Sequence, residues 1–359
     1  MDRIERLQGL MAGQGIDALC VRDTPNIAYL TGFQGVFDEE RAHALLIDGD
    51  QVVLHTDSRY AAACRACAGD GPIQVDDATK THASWLADRV GAGALGIEDT
   101  IALCEFRKLE EAFAESDVRL VETDGVVLRL RQVKGKDEVA LLKHAQSITE
   151  AAFAHRATFA RPGMTEREVQ RELDDYMLSH GADGLAFPSI VATGPNGANP
   201  HAQPGQTKLE AGQCVVMDFG AKARGYCSDM TRMLFLGRPD DRLARAYEVL
   251  REANEQVSSL LRPGITGAEA HQRALDILEA GGFGGLMGHG LGHGVGREVH
   301  ELPVLSPRNP DPLEEGNVVT VEPGIYVEGE FGMRLEDFGI VTEDGFEVFT
   351  RTTHEPCIV

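Results

Sequence analysis

A pentapeptide that occurs twice constrains the fold of this chain more than any other feature. Arg161-Pro162-Gly163-Met164-Thr165 recurs as Arg262-Pro263-Gly264-Ile265-Thr266. A long helical pattern precedes each copy. A second helix comes after each, opened by a capping box: Thr165 with Glu168, and Thr266 with Glu269. In that arrangement the Thr hydroxyl accepts from the third backbone amide of the helix, and the Glu side chain reaches back. Both of these second helices end near a glycine, Gly181 or Gly281. Downstream, the apolar run Gly212–Gly220 is echoed by Gly316–Gly324. Two helices and then β-strands, twice over, predict an α+β domain with pseudo-twofold symmetry. Its helices would cover one face of a curved antiparallel sheet.

The first part of the chain lacks this repeat and reads as alternating helices and strands. Ile4, Leu7, Leu10 and Met11 mark one helical face. The stretch from Ile16 to Val21 reads as a strand, and Ala44–Ile47 with Val52–Leu54 reads as a hairpin around the Asp48-Gly49-Asp50 turn. A charged stretch from Arg129 to Glu138 then forms the connection to a long helix. The expected division is a smaller α/β domain over residues 1–130 and a catalytic domain over 131–359. A chain of 359 residues with 43% hydrophobic side chains has material for two cores. In the first domain His43, His55 and His82 stand apart in sequence and read as structural. Cys64 and Cys67 form a lone CxxC with no second pair or nearby histidine to complete a zinc site.

The net charge of -23 repels phosphate backbones and argues against nucleic acid as a partner. No run approaches the roughly 18 apolar residues of a membrane span, and the polar start Met1-Asp2-Arg3-Ile4-Glu5-Arg6 is unlike a signal peptide. Seven cysteines, an odd number in a large chain, fit reduced thiols. A cytoplasmic location is the expectation.

The repeat aligns Asp218 with Glu322, each a single carboxylate at the end of an apolar strand. After each comes a strand bearing a further carboxylate, Asp229 in Ser228-Asp229-Met230-Thr231-Arg232 and Glu336 in Met333-Arg334-Leu335-Glu336-Asp337. Hairpin arms lying side by side, related by the pseudo-symmetry, would bring all four to one point. Four carboxylates cannot share a buried site unpaired, because like charges force protons onto them. Divalent cations remove that difficulty, and bridging carboxylates can hold two ions about 3.5 Å apart. Between the two hairpins lies Met287-Gly288-His289-Gly290-Leu291-Gly292-His293-Gly294-Val295-Gly296, and shortly after it Val299-His300-Glu301. Three histidines among close-set glycines mark a loop that turns tightly and approaches metal or substrate. The glycines do not fit a dinucleotide-binding fingerprint. Oxygen ligands with one imidazole suit Mn, Co, Zn or Fe(II).

The set Asp218, Asp229, His293, Glu322 and Glu336, within these strings, resembles the five-ligand site of the pita-bread metallopeptidases, the M24 group of methionine aminopeptidase, Xaa-Pro aminopeptidase, prolidase and creatinase. Residues 1–130 resemble the creatinase-type N-terminal domain, including Thr56-Asp57-Ser58-Arg59-Tyr60. The resemblance implies two divalent ions, with Mn the first expectation. Asp218 would chelate one ion, Asp229 and Glu336 would bridge, and His293 and Glu322 would hold the other. It further implies that Glu322 shuttles a proton and that His201 and His300 contact substrate and the tetrahedral intermediate. Arg334 matches an arginine beside Glu336, and His289 would line the substrate pocket. The N-terminal domain argues against methionine aminopeptidase, and the complete ligand set argues against the metal-free creatinase branch. The activity that the resemblance implies is hydrolysis of the Xaa-Pro bond, in dipeptides or at peptide N-termini, through a metal-bound hydroxide, by a homodimer. The motifs leave dipeptidase and aminopeptidase undivided. A metal-dependent hydrolase or lyase of a small non-peptide metabolite is the alternative on the same fold.

Overall fold

A computed structural model describes residues 3–38 and 40–359. The chain divides into two compact units, Met1–Arg131 and Gln132–Val359.

The first unit is built on a six-stranded mixed sheet. Its order is Ile73–Asp76, Val52–His55, Ala44–Ile47, Ala18–Val21, Ala92–Glu98 and Asp117–Thr123. Ala44–Ile47 runs antiparallel to both neighbours, and the other pairings are parallel. The central strands are buried on both faces, so they read as continuous apolar runs instead of alternating ones. Leu19, Val21, Leu45, Ile47 and Leu54 pack on one side with Leu7, Met11, Ile27 and Tyr29. Cys20, Leu46, Val53, Leu95 and Ile97 pack on the other with Trp85, Leu109 and Phe113. The helix Thr24–Thr31 shows how local chemistry fixes an end. Asp23 accepts from the Asn26 amide at 3.1 Å, Pro25 occupies the first turn, and Gly32 closes the helix in the left-handed region at φ 71°.

The histidines of this unit are not separate. The Nδ1 atoms of His55 and His82 lie 2.7 Å apart, and His55 stacks on Trp85 at 4.7 Å. His43 is fully buried between Phe37 and Tyr60, with Nδ1 2.9 Å from the Thr56 hydroxyl. These contacts join distant loops and leave no trace in local sequence spacing.

The second unit carries the repeat as two matched halves. Helices Lys136–His155 and Glu166–Ser179 belong to the first half, and Asp241–Leu260 and Gly267–Ala280 to the second. Both capping boxes form. The Thr165 hydroxyl accepts from the Glu168 amide at 3.2 Å, and the Glu168 carboxylate accepts from the Thr165 amide at 2.8 Å. The corresponding distances at Thr266 and Glu269 are 3.1 and 2.8 Å. Each turn places its glycine at φ 93°, Gly163 and Gly264, where only glycine is unstrained. Each Thr also makes one isolated antiparallel bridge, Thr165 to Lys208 and Thr266 to Pro312.

The strands of this unit fall into several hydrogen-bonded sheets. Cys214–Phe219 lies between Ile190–Thr193 and Met230–Phe235, antiparallel to both. Val318–Val321 pairs antiparallel with Asp337–Thr342 and bridges Gly294. A separate hairpin joins Gly324–Val327 to Phe331–Arg334. One helix pair covers each half. Ile148, Phe153, Val169, Leu173 and Met177 pack on Val215, Met217 and Phe219, while Tyr247, Leu250, Ala274 and Leu278 pack in the cluster holding Val319, Val321 and Met333. None of the seven cysteines is in a disulfide. No described helix is long and apolar enough to cross a membrane.

Candidate metal centre

The two halves deliver their carboxylates to one cavity of about 760 Å³. Its lining includes Asp218, Asp229, His293, Glu322 and Glu336, together with His201, His289, His300 and Arg334. Asp218 sits near the end of Cys214–Phe219, and Thr231 lies opposite it in the ladder. Asp229 immediately precedes Met230–Phe235, while Glu336 occupies the break between Phe331–Arg334 and Asp337–Thr342. The ladder fixes Asp218 to one sheet face, while Asp229 and Glu336 stand outside the strands, free to converge on it.

His293 enters on the short strand Gly292–Gly294, while the rest of the glycine-rich segment, residues 287–291 and 295–296, is irregular. Its glycines serve close approach. A Cβ on Gly292 would come 2.1 Å from the Thr320 carbonyl oxygen, and one on Gly294 would come 2.3 Å from that of Leu302. The His293 amide donates to the Thr320 hydroxyl at 3.0 Å. Its Nδ1 lies 3.2 Å from the Gly294 carbonyl, so Nε2 is the ring atom that faces the acids. That Nε2 is 3.2 Å from Glu322 Oε1 and 3.6 Å from Asp229 Oδ2. One donor atom each from Asp229, His293 and Glu336 falls within 4.8 Å of the others.

The surrounding hydrogen bonds orient each acid. Thr231 donates to Glu336 Oε2 at 2.6 Å. Arg334 donates to Asp218 Oδ2, while Asp218 Oδ1 is buried without a hydrogen-bond partner. Arg334 also donates to the Thr231 hydroxyl at 3.1 Å, to the Tyr326 hydroxyl at 2.7 Å and to the Pro200 carbonyl at 3.3 Å. Its guanidinium is thus engaged chiefly with the protein. His289 faces the Gly290 carbonyl through Nδ1 and the Tyr326 hydroxyl through Nε2, at 2.6 and 3.0 Å. Tyr326 had no signal in the sequence; its position depends only on the hairpin that also carries Arg334. His300 packs edge-on against His293 with ring centroids 4.3 Å apart, and His201 is exposed on the loop after the short helix Gly194–Gly197.

Electrostatics make the site intolerant of its own charge. Burial raises the Asp229 and Glu336 carboxyls well above their ordinary range, and the neighbouring acids add to the effect. Burial also raises Asp218, against the pull of Arg334. Glu322 escapes this: burial pushes it up, but the bond from His293 and the charges of His293 and Arg334 bring it down to about 2. Three buried carboxylates and the half-buried Glu322 with one arginine and one histidine are one-sided in charge, and the unpartnered oxygen on Asp218 fits a cation ligand. Oxygen donors with one imidazole fit first-row divalent ions.

The family model described as metallopeptidase family M24 matches residues 140–343, and that of the creatinase/prolidase N-terminal domain matches residues 3–133. The chain belongs to metallopeptidase family M24. It is therefore a metallopeptidase with the pita-bread catalytic fold behind a creatinase-type domain. Among family relatives, it is 36% identical over 358 residues to the uncharacterized peptidase YqhT of Bacillus subtilis, covering 99% of this chain and 100% of that one. It is 31% identical to an Xaa-Pro dipeptidase of Lactobacillus delbrueckii, covering 98% and 97%. The structure of an Xaa-Pro dipeptidase from Bacillus anthracis matches with TM-score 0.92 at 36% identity, covering 99% of both chains. That of an X-Pro aminopeptidase from Thermotoga maritima matches with TM-score 0.87 at 34% identity, covering 100% of both.

Proposed function

We propose that this M24 metallopeptidase hydrolyses the peptide bond preceding proline, with two divalent ions held by Asp218, Asp229, His293, Glu322 and Glu336. The convergence of four carboxylates and His293 Nε2 in one cavity carries the reading. The relatives named as Xaa-Pro peptidases support the substrate class. Mn is the first ion to test.

When bound, the ions would acidify a water molecule and polarise the scissile carbonyl. The chain's own groups do the rest. Thr231 holds Glu336 in one orientation, and Arg334 holds Asp218 through Oδ2, leaving Oδ1 without a protein partner. Glu322, 3.2 Å from the His293 ring at the cavity, would take a proton from water and pass it to the departing proline nitrogen. Partial desolvation and the nearby His293 lower the pKa of His300, which is exposed at the cavity, so one ring N–H can stabilise the developing oxyanion without adding charge. His201 stands at the same cavity and would help seat the substrate. Proline's tertiary amide has no N–H and restricts the residue before it, so a dedicated pocket is needed. Phe187, Pro188, Ile190 and Val299 supply apolar walls.

The test is an assay of apo-, Mn- and Co-loaded protein on Gly-Pro, Ala-Pro and Ala-Pro-Pro. Metal-dependent release of proline from the dipeptides alone would define a dipeptidase. Cleavage of the tripeptide would define an aminopeptidase. No turnover of any substrate by protein with two ions bound would overturn the proline reading.

A further inference from the structure

Glu336 lies where the sheet does not hold it. It occupies the break between two strands, and its amide donates to the Thr231 carbonyl at 3.2 Å. Its carbonyl is taken by a side chain: Arg232 Nη1 donates to it at 2.6 Å. Arg232 is 1% exposed, and the same nitrogen donates to the Thr231 carbonyl at 3.0 Å. A guanidinium therefore ties the main chain at Glu336 to the neighbouring strand in place of a ladder bond.

Arg232 is itself held from behind. Its Nη2 donates to Asp337 Oδ1 at 2.6 Å and to the Thr352 carbonyl at 2.8 Å. Asp337, 1% exposed, presents its other oxygen to His354 Nε2 at 2.7 Å. The second ring nitrogen of His354 faces Glu255 Oε1 at 3.1 Å, and the His354 carbonyl accepts from Tyr247 at 3.0 Å. Glu255 and Tyr247 belong to the helix Asp241–Leu260. The tail is anchored on both sides of His354. Glu150 accepts from the Thr352 amide at 2.7 Å, and Cys357–Ile358 pairs parallel with Leu234 and Phe235.

We propose that His354 is a positioning residue of the metal centre: through Asp337 and Arg232 it fixes the main chain at Glu336, and with it the carboxylate turned toward the ions. Glu336 and Asp337 are consecutive residues with opposite tasks. One faces the cavity, and the other faces the tail. The His354 imidazole completes Asp337, which frees Arg232 to hold the Glu336 carbonyl and the Thr231 carbonyl together. Thr231 in turn donates to Glu336 Oε2, so the tail bears on both the position and the orientation of that acid. The proposal rests on the reading of Glu336 as a metal ligand.

The experiment is calorimetric titration of the full-length apo-protein with Mn, alongside the electron paramagnetic resonance of the loaded protein. His354→Gln and Arg232→Lys are compared with Glu355→Gln, a tail variant that loses only the surface pairing of Glu355 with Arg251. Outer partners of metal ligands are typically worth about 10–100-fold in affinity. His354→Gln is expected to weaken Mn binding by about tenfold at the low end of that range, and Arg232→Lys by more. Glu355→Gln should leave binding unchanged. The spectrum of His354→Gln should show a less strongly coupled ion pair, and kcat should recover at saturating Mn with KM unchanged. Wild-type affinity and spectrum in a folded His354→Gln protein would overturn the proposal, even with a lowered melting temperature. Should Arg232→Lys fail to fold, the His354 comparison still decides. Failure of the wild type to bind Mn at all would overturn the metal reading beneath it, and the proposal with it.

Discussion

The backbone of Gly332 passes so close to Gly197 that a Cβ on Gly332 would come 1.8 Å from the Gly197 carbonyl oxygen. Gly332 lies in the hairpin strand Phe331–Arg334, two residues before Arg334, and Gly197 closes the short helix that leads to His201. The contact is backbone on backbone, so no flexible side chain can yield. Gly332→Ala should displace the strand bearing Arg334 relative to the loop bearing His201. Overpacking costs about 1–3 kcal/mol or more, and each kcal/mol is worth roughly 2–4 °C in a unit of this size. The expected result is a fall of several degrees in thermal scans, with loss of peptidase activity. Unchanged activity would mean that the two segments tolerate separation.

Removing the ions should destabilise the second unit. A ligand at 100 times its dissociation constant adds about 2.7 kcal/mol to the folded state. Thermal unfolding in excess Mn and in EDTA should therefore differ by about 5–10 °C. Coincident curves would argue that the buried acids hold no ion.

Asp229→Ala removes an acid that lies at the centre of the cluster, 3.6 Å from the His293 ring. Activity should fall beyond the roughly 10–100-fold expected for an outer partner. The stability of the metal-free protein should rise or stay level, because burial and the nearby Glu336 and Asp218 already disfavour this carboxylate. Near-normal turnover in the variant would remove Asp229 from the proposed ligand set.

Glu98 gives the first unit its own pH dependence. Its carboxylate accepts from the amides of Arg22 and Asp23, at 2.5 and 2.8 Å, and from the Asn26 side chain at 2.7 Å. Burial outweighs these bonds and raises it to about 7 from 4.5. The folded state thus binds the proton more tightly than the unfolded one. Its contribution is complete below about pH 4.5 and is lost as pH rises through 7, a change of about 3 kcal/mol. His82, lowered by burial to about 3, works in the opposite direction, losing stability as pH falls below its unfolded value. The informative quantity is accordingly the difference between wild type and Glu98→Gln. The single tryptophan, Trp85, is buried in this unit and reports its unfolding in urea. The wild type should lose stability relative to the variant between pH 5 and 8; parallel profiles would show that Glu98 does not titrate there.

Much of the catalytic fold was legible because it is written twice. The repeated Arg-Pro-Gly-x-Thr turn pins φ at a glycine and opens a capped helix, and both copies have that geometry. The alignment of Asp218 with Glu322 likewise came from the repeat. What stayed illegible depends on packing between distant strands. The glycines around His293 read as a turning loop, and most of the segment is irregular, but Gly292 and Gly294 lie in a strand where neighbouring carbonyls leave no room for a Cβ. Tyr326 and Thr231 are ordinary strand residues until the register places them beside Arg334 and Glu336. In the first unit, His55 and His82 meet only because His55 ends one strand and His82 opens the helix His82–Ala87 that follows its parallel neighbour. Sequence spacing carries no record of such meetings.

The unequal endowment of the two halves has a consequence in time. The first half supplies Asp218 and Asp229, whereas His293, Glu322 and Glu336 all come from the second, and Arg334, which orients Asp218, comes from the second as well. A chain growing from its N-terminus therefore exposes two acids with neither the imidazole nor the arginine that would organise them. Under the proposed reading, ion loading waits until the last hairpin has been synthesised and has closed on the first. Hydrolytic competence is then gained in one step, when that hairpin closes, and chains that stop short of it remain inert.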